Sequence, residues 1–305
     1  MRSIVKVCVV FRELNFICIA IITIKIPNRK LLIVKIYSHC QNARAKTKTP
    51  LFLFKIVCMQ LPGNWFRDWF DSPYYHQLYF YRDEKEAAAF VDNLLYFLKP
   101  AANSRMLDVA CGRGRHAIIL AAHGFDVTGF DIAPGSIEYA KQFENDNLHF
   151  YEHDMRLPFW INYYDYAFNF FTSFGYFRTE REHFDAIRTI ANSIKKNGIF
   201  VLDFINAEYA EEHLIPESLK EIDGVVFNIE RWADDKHLYK KIFIQDKNIN
   251  ENREYTERIA KISLNGFNRM FSVYRLEIQQ VFGDYDLHLF DKTISPRLIM
   301  VAKKI

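Results

Sequence analysis

Two carboxylates and two glycines are spaced along Met106 to Asp131 as in a ligand-binding β-α-β unit. A short apolar strand ends at Asp108, a turn with Gly112 and Gly114 follows, an apolar helix comes next, and a second strand ends at Asp131. Glycine allows unusual backbone dihedral angles and a close approach to a ligand. The first turn of the helix offers unpaired N–H groups, and both aspartates lie where α/β sheets bind ligands. The stretch predicts a site with donors on one wall and carboxylates on the other.

The same residues fit two classes of cofactor site. The run Gly112 to Ala117 matches G-x-G-x-x-G/A, and Asp131 lies at a suitable distance to bind a ribose, which is the pattern of a nicotinamide or flavin site. A dinucleotide-binding strand, however, normally stays apolar up to its first glycine, because a carboxylate at Asp108 would face the pyrophosphate. A carboxylate there favours a ligand with a cationic end.

Four motifs in order resemble the class I S-adenosylmethionine-dependent methyltransferases. Leu107 to Gly114 is similar to their first motif, with Ala110 in place of the first glycine. Val127 to Ile132 resembles the second motif, His153 to Met155 resembles the third, and Asn169 to Phe171 resembles the segment after the fourth strand. The resemblance covers residues 64–305. It implies S-adenosylmethionine as the cofactor and a Rossmann-like α/β fold, a doubly wound seven-stranded sheet with a C-terminal antiparallel hairpin.

The resemblance also implies roles for individual residues. Asp108 would hold the methionine end of the cofactor together with the glycines, Asp131 would bind the ribose, and Ile132 with Asp154 would contact the adenine. The implied cofactor site consists of Asp108, Ala110, Gly112, Gly114, Asp131, Ile132, Asp154, Met155, Asn169 and Phe170.

Charge and cysteine usage separate the first 58 residues from the rest. Residues 1–58 contain eleven Lys and Arg against one acid, Glu13, whereas the remainder has 29 basic and 36 acidic residues, a net charge of −7. Because affinity for nucleic acids is mostly electrostatic, nucleic acid is not an expected partner. Four of the five cysteines precede Met59, and no C-x-x-C or zinc-ligand spacing occurs. Neither a metal site nor a disulfide framework is predicted, and a cytoplasmic location is expected.

Residues 1–58 form a basic extension with β-branched runs. Its longest uncharged run, Leu14 to Ile24, is about half of what a membrane-spanning helix requires, so no membrane is expected as a partner. A signal peptide would explain the basic start, but Glu13 and the lack of a small-residue cleavage site argue against it. An additional β-rich arm is an alternative. We favour the hypothesis that this segment lies upstream of the true start, and that translation begins at Met59.

Aromatic residues are concentrated in residues 64–81. Trp65, Phe66 and Trp69 are predicted to pack an amphipathic helix onto the domain. In related methyltransferases the N-terminal helices close over the cofactor, so the aromatic run Tyr74 to His76 is expected to cover the methyl group. Residues 59–102 are therefore predicted to be an N-terminal helical lid.

The chain then alternates between helices and strands, as in a doubly wound sheet. Capping boxes predict helices from Asp83 to Lys99 and from Thr179 to Asn197, with Gly198 ending the second. A shorter helix is expected from Ser136 to Phe143. The further core strands are predicted at Leu148 to Glu152, Tyr166 to Phe171, Ile199 to Ile205, Leu276 to Phe282 and Leu298 to Lys303.

The pattern changes to period two after the fifth strand. Val225 to Trp232, Leu238 to Gln245 and Tyr255 to Ile262 are predicted to be antiparallel strands joined by polar turns, and Gly266 to Tyr274 a helix that resumes the core. Residues 207–264 are thus predicted to be a small antiparallel β insertion that covers the acceptor site, between core segments 103–206 and 265–305.

Methyl transfer requires alignment and a dry pocket rather than a covalent intermediate. A base assists if the acceptor atom carries a proton, and the candidates are His76, Tyr75 and Tyr176, with His183 as a further one. These residues lie in segments expected near the strand ends.

The predicted acceptor is an oxygen or nitrogen atom of a small molecule. The segment after the fourth strand lacks the N/D-P-P-Y/F pattern of methyltransferases that act on exocyclic amines of nucleic acids, and a Pro-Cys pair for attack on a pyrimidine ring is also absent. Two alternatives stay open: a catalytically inactive regulatory protein that binds S-adenosylmethionine, and an NAD(P)-dependent oxidoreductase.

Overall fold

The computed structural model describes residues 65–79, 84–249 and 251–305, together with the backbone of three earlier strands. The chain divides into two units, Met1–Leu61 and Pro62–Ile305. In the first unit, β1 (Val7–Leu14), β2 (Ile17–Ile26) and β3 (Arg29–Ser38) pair in antiparallel fashion in that order.

The second unit alternates helices and strands before and after a run of four consecutive strands. Its elements are, in chain order, α1 (Trp65–Phe70), α2 (Pro73–Leu78), α3 (Glu84–Leu98), β4 (Arg105–Val109), α4 (Arg115–Ala122), β5 (Asp126–Asp131), α5 (Pro134–Ala140), β6 (Leu148–Glu152), β7 (Tyr164–Asn169), α6 (Glu180–Ser193), β8 (Ile194–Ile205), α7 (Ala207–Glu212), β9 (Glu217–Ile222), β10 (Val225–Ala233), β11 (His237–Asp246), β12 (Glu251–Ala260), α8 (Leu264–Val273), β13 (Leu276–Phe282) and β14 (Arg297–Lys304).

Seven of these strands form one sheet, in the order β13-β14-β8-β7-β4-β5-β6. The five strands from β8 to β6 are parallel, and β13 and β14 add an antiparallel hairpin at one edge. The chain runs from β4 to β5 and β6 on one side, and then continues with β7 and β8 on the other. The crevice at this reversal is where open α/β sheets bind ligands. The predicted fold class is confirmed.

The sheet is buried on both faces, as the apolar strands require. Met106, Leu107 and Val109 of β4 and Phe168 of β7 are at most 1% exposed. Helices α3 and α4 pack against each other beside the central strands, and Phe90 of α3 is fully buried in the same core. The predicted helix over this region is present as α3, whereas Asp83 of its predicted capping box lies outside the described residues.

The four strands between α7 and α8 form a separate antiparallel sheet, the second sheet of this unit, in the order β12-β11-β10-β9. The three strands predicted there are β10, β11 and β12. The fourth strand, β9, was not predicted because its sequence, ESLKEI, lacks apolar alternation and most of it is exposed at the edge of the sheet. One face of this sheet packs on α1 and α2, the helices of the predicted lid, where Trp69 and Phe227 are fully buried.

The predicted boundary between α6 and β8 is wrong. The helix ends at Ser193 instead of Asn197, and Ile194 already pairs with Tyr164 of β7. A bulge follows, in which Asn197 has φ 66° and the strand register shifts. Gly198 is required there because a Cβ atom would lie 2.8 Å from the carbonyl oxygen of Asp165. The glycine therefore permits close backbone approach within a strand and does not end the helix.

Candidate active site

Three residues of the turn after β4 have a left-handed backbone conformation. Ala110, Gly112 and Gly114 have φ angles of 58°, 56° and 82°. The turn is fixed to the neighbouring strand because the N–H of Cys111 donates to the carbonyl oxygen of Phe130 at 2.9 Å. Ala110 thus adopts a conformation that is strained for alanine, and the methyltransferases that the sequence resembles have glycine at this position. The turn presents its backbone to the crevice at the strand ends.

Asp131 joins this turn to the loop after β5. Its Oδ2 atom accepts from the N–H of Gly112 at 2.9 Å, and its Oδ1 atom accepts from the N–H of Ala133 at 2.9 Å. Burial raises the pKa of the Asp131 carboxyl, and these backbone donors partly offset the rise. The side chain is therefore held at the mouth of the crevice with a defined orientation.

Asp108 is the second carboxyl group at the crevice, and it is 1% exposed. It accepts from the backbone N–H of Ala117, while its Oδ2 atom has no hydrogen-bond partner among the described residues. Burial, and to a smaller extent the neighbouring Asp131, raise the pKa of Asp108 to about 8. A buried carboxyl with an unused acceptor suits a cationic ligand group, which would supply the missing partner.

Gly114 is constrained by packing. A Cβ atom at this position would lie 2.6 Å from Cζ of Phe150, a ring that is 1% exposed. Gly124, with φ 87°, would place a Cβ atom in open space and makes a matched control. Both alanine variants carry left-handed strain of about 1 kcal/mol. Gly114→Ala is expected to lose about 1–3 kcal/mol more, because it also overpacks the core. Urea unfolding measures both variants, and equal losses would contradict this account.

A cavity of about 1790 Å³ opens from the turn towards the lid and the second sheet. Most of the residues predicted for the site line it. These are Tyr75, His76, Ala110, Gly112, Asp131, Ile132, Asp154, Met155, Phe170 and Tyr176.

Three predicted cofactor residues lie outside the cavity lining: Asp108, Gly114 and Asn169. Asn169 is fully buried, and its Nδ2 atom donates to the carbonyl oxygen of Val109 at 2.8 Å. It therefore joins the ends of β4 and β7 beneath the turn. Asp108 is buried at the end of β4, next to the same turn.

Asp154 lies at the cavity with both carboxylate oxygens engaged by one guanidinium. Arg156 donates from Nε to Oδ1 at 3.0 Å and from Nη2 to Oδ2 at 2.6 Å. Arg156 also reaches Glu182 at 3.1 Å and stacks over Phe66 and Phe177. A carboxylate has further acceptor positions, so contact with an adenine amino group is compatible with this ion pair.

Helix α2 of the predicted lid contributes Tyr75 and His76 to the cavity wall. The Phe70 ring makes edge contacts with Tyr75 and with Tyr176, at centroid distances of 5.1 and 5.0 Å, which joins the lid to the loop after β7. Burial and the charge of Arg113 lower the pKa of His76 to about 4. His76 is therefore neutral at pH 7. Tyr74, expected to cover the methyl group, is directed to the second sheet, where its hydroxyl donates to Asp246 at 3.1 Å.

His183 is placed away from the cavity. It is 5% exposed on α6, its ring packs against Phe174 and Phe177, and its Nδ1 atom is 3.0 Å from the carbonyl oxygen of Thr179. His183 was expected near the site because it follows a strand end in the sequence. It lies instead on the buried face of α6, which is directed towards the sheet.

Comparison with known proteins identifies the family. The family model described as a methyltransferase domain matches residues 100–256, just over half of the chain. The chain belongs to the methyltransferase domain family. YqeM of Bacillus subtilis (strain 168) is named as a methyltransferase. It is 27% identical to this chain over 117 residues, which are 37% of this chain and 47% of that protein. The chain spans about half the length of the curated relatives it matches.

Solved structures show the same fold. An S-adenosylmethionine-dependent methyltransferase from Clostridium acetobutylicum ATCC 824 matches with a TM-score of 0.64 and 16% identity, over 75% of this chain and 95% of that one. The SAM-bound amino pentose methyltransferase CalS10 from Micromonospora echinaspora matches at 0.56 and 21%, over 77% and 98%. The sugar N-methyltransferase KedS8 from Streptoalloteichus sp ATCC 53650 matches at 0.59 and 17%, over 73% and 88%. The class I fold implied by the motifs is confirmed.

Further polar residues that the sequence did not indicate line the cavity. Glu257 of β12, which is 6% exposed, accepts at Oε1 from Trp69 Nε1 at 2.7 Å and from the Tyr79 hydroxyl at 2.8 Å. Lys240 of β11 donates to the Tyr79 oxygen. The register of β11 and β12 places Lys240 opposite Glu257, and the packing of α1 and α2 on this sheet adds Trp69 and Tyr79. No helix among the described residues is long and apolar enough to cross a membrane.

Proposed function

We propose that this chain is an S-adenosylmethionine-dependent methyltransferase that methylates an oxygen or nitrogen atom of a small molecule. One observation carries the proposal: a single cavity joins the Gly112 turn and Asp131 to the aromatic lid and the second sheet. At about 1790 Å³, the cavity exceeds the roughly 300–1,000 Å³ typical of one small ligand, which leaves space for a cofactor and an acceptor. CalS10, an amino pentose methyltransferase, and KedS8, a sugar N-methyltransferase, share this fold and support a small acceptor.

The residues at the turn fit this cofactor. Asp108 has a buried oxygen without a partner among the described residues, which suits a cationic amino acid end, and the Asp131 carboxylate beside the turn would accept from ribose hydroxyls. Ile132 and Asp154 line the adjoining wall, where they would contact the adenine. When bound, S-adenosylmethionine supplies an electrophilic methyl group on its sulfonium.

The acceptor half of the cavity is formed by the lid and the second sheet. Phe70, Tyr75 and Tyr176 form an aromatic wall that excludes water and aligns the acceptor, which can supply much of the rate. Because the pKa of His76 is about 4, its ring is unprotonated at neutral pH. His76 is therefore better suited to accept a hydrogen bond than to retain a proton. Tyr75, Tyr79 and Tyr176 also line the cavity, and their hydroxyl oxygens can accept a hydrogen bond from the acceptor atom.

Calorimetric titration with S-adenosylmethionine, S-adenosylhomocysteine and NADH tests the cofactor. We expect micromolar binding of the first two, weakened about 100-fold in Asp131→Ala, because two hydrogen bonds to a carboxylate are lost. The control is Asp126→Ala at the other end of β5, whose carboxylate is 3.5 Å from Arg105. Circular dichroism checks that both variants fold.

The other outcomes separate the alternatives. Binding of NADH alone would overturn the proposal in favour of an oxidoreductase. Cofactor binding without methyl transfer in a broad acceptor screen would instead favour a regulatory protein. Binding of none of the three by the folded chain would refute the assignment of the site.

A further inference from the structure

The inner face of the second sheet carries an unusual row of charged residues. Arg231 of β10 is the direct cross-strand partner of Lys240 of β11, and Lys240 is the partner of Glu257 of β12. Directly opposed residues lie on the same face of a sheet. Arg231, Lys240, Glu257 and Lys220 of β9 all line the cavity. The face that covers the acceptor half of the cavity therefore carries three cations and one carboxylate.

This arrangement has an energetic cost, because like charges directly opposite each other destabilise a sheet. Glu257 compensates part of the charge, since its Oε2 atom is 3.9 Å from Lys240 Nζ. Arg231 donates from Nη1 to the Ser218 hydroxyl at 2.9 Å and to the Ile215 carbonyl oxygen at 3.4 Å. Both of these acceptors are neutral.

Neighbouring lysines of the same sheet have acidic partners. Lys241 Nζ is 3.0 Å from Glu254, and Lys247 Nζ is 2.7 Å from Glu221. Within the part of the chain that the structure describes, no carboxylate forms an ion pair with Arg231 or Lys220. The two cations at the cavity thus differ from the lysines on the outer surface, and an anion from solution can supply the missing partner.

We propose that Arg231 and Lys220 bind an anionic group of the methyl acceptor, either a carboxylate or a phosphate. This inference rests on the proposed function, because it assigns the acceptor half of the same cavity. The planar guanidinium of Arg231 can donate two parallel hydrogen bonds to an oxyanion, and Lys220 adds a second positive charge. The anionic group would lie against the second sheet, while the cofactor residues belong to loops of the seven-stranded sheet. The acceptor is thereby oriented between the two sheets.

The test uses three probes that share one ring and differ in the group attached to it: benzoate, phenyl phosphate and the neutral benzamide. Calorimetry measures their binding to the full chain with and without saturating S-adenosylhomocysteine, which fills the cofactor half. We expect at least one anion to bind about tenfold more tightly than benzamide, and Arg231→Gln to remove this difference. Lys220→Gln is expected to reduce it, and Arg231→Lys to retain part of it.

Lys241→Gln is the matched control, because Lys241 is adjacent to Lys240 on the opposite face of β11. Tight binding of benzoate only would identify a carboxylate acceptor, and tight binding of phenyl phosphate only would identify a phosphate. Equal affinity for benzamide and both anions overturns the inference, and so does an equal loss in Lys241→Gln. Such a result in a protein that binds S-adenosylhomocysteine leaves the proposed function intact. Anion binding that depends on Arg231, without cofactor binding, would support this site and refute the proposed function.

Discussion

Arg297→Met is expected to lower the free energy of unfolding by about 3–5 kcal/mol, because it leaves a buried carboxylate without its partner. Asp203 is fully buried, and Arg297 donates to its Oδ1 atom from Nε at 2.8 Å and from Nη2 at 2.6 Å. The Oδ2 atom accepts from the N–H of Phe171 at 2.8 Å and from the Tyr285 hydroxyl at 3.3 Å. Methionine keeps an unbranched apolar side chain and removes the charge and the donors.

A second variant separates the charge from the packing. Arg297→Met combined with Asp203→Asn is expected to recover most of the loss, since asparagine is neutral and can still accept from Phe171. Urea unfolding measures all variants, with Arg188→Met as a control for an exposed pair. Arg188 is 3.1 Å from Asp185 on α6, and its side chain is 41% exposed. A loss in Arg297→Met no larger than in Arg188→Met would contradict the account, as would a double variant that is no more stable than Arg297→Met.

The same ion pair has a structural consequence at the cavity. Arg297 also donates to the Thr172 hydroxyl at 2.9 Å, and Thr172 and Arg297 both line the cavity. The pair therefore links β14 and β8 to the segment after β7, which carries Phe170 and Phe171. Sequence patterns indicated these strands, but they did not indicate that a buried Asp–Arg pair connects them.

The elements with the strongest sequence signal were predicted with accurate bounds. β6 and β13 begin and end at the predicted residues, because each opens on alternating apolar and polar residues and lies between turns. The boundary of α6 and β8 was missed because Gly198 resembles a helix stop, whereas the chain uses it in a strand bulge. Whether a glycine ends a helix or lies in a strand bulge depends on which strand the segment pairs with, and the local sequence does not show this.

The site was predictable to the extent that it is local in sequence. Ala110, Gly112 and Asp131 belong to one β-α-β unit, and their spacing alone brings them together. Arg231 and Glu257 are placed by the register of β10, β11 and β12, and a shift of one residue would direct each to the opposite face. Asp108 and Asn169, which the sequence also assigned to the cofactor site, are buried at the ends of β4 and β7 and do not line the cavity.

The carboxyl of Asp108 is expected to give cofactor binding a pH dependence of known sign. Its pKa is raised from 3.8 to about 8 in the folded chain without ligand, first by burial and then by Asp131. A cationic ligand end favours the ionised form, so binding should release a proton below pH 8. The affinity for S-adenosylhomocysteine, which keeps the cationic amino acid end, is expected to rise between pH 6 and pH 8, by at most about tenfold per pH unit for one proton.

Stability without ligand should have the opposite dependence on pH. The folded chain keeps the Asp108 proton up to about pH 8, whereas an unfolded chain releases it near pH 4. Between these values the native state binds more protons, so this group makes the protein less stable as the pH rises. Asp108→Asn removes the titrating group but keeps an oxygen to accept from Ala117. The variant should therefore gain stability relative to the wild type as the pH rises towards 8, while its affinity for S-adenosylhomocysteine is weaker and nearly independent of pH.

Two measurements distinguish this account from a purely structural role for Asp108. Calorimetry in buffers with different ionisation enthalpies reports the proton released on binding, and urea unfolding from pH 5 to pH 8 reports the stability. Asp126→Asn, at the exposed start of β5, is expected to leave both pH profiles unchanged. If Asp108→Asn still released a proton on binding, the titrating group would lie elsewhere. A variant that lost stability equally at every pH would show that Asp108 matters for its hydrogen bond to Ala117 and that its proton has no part in binding.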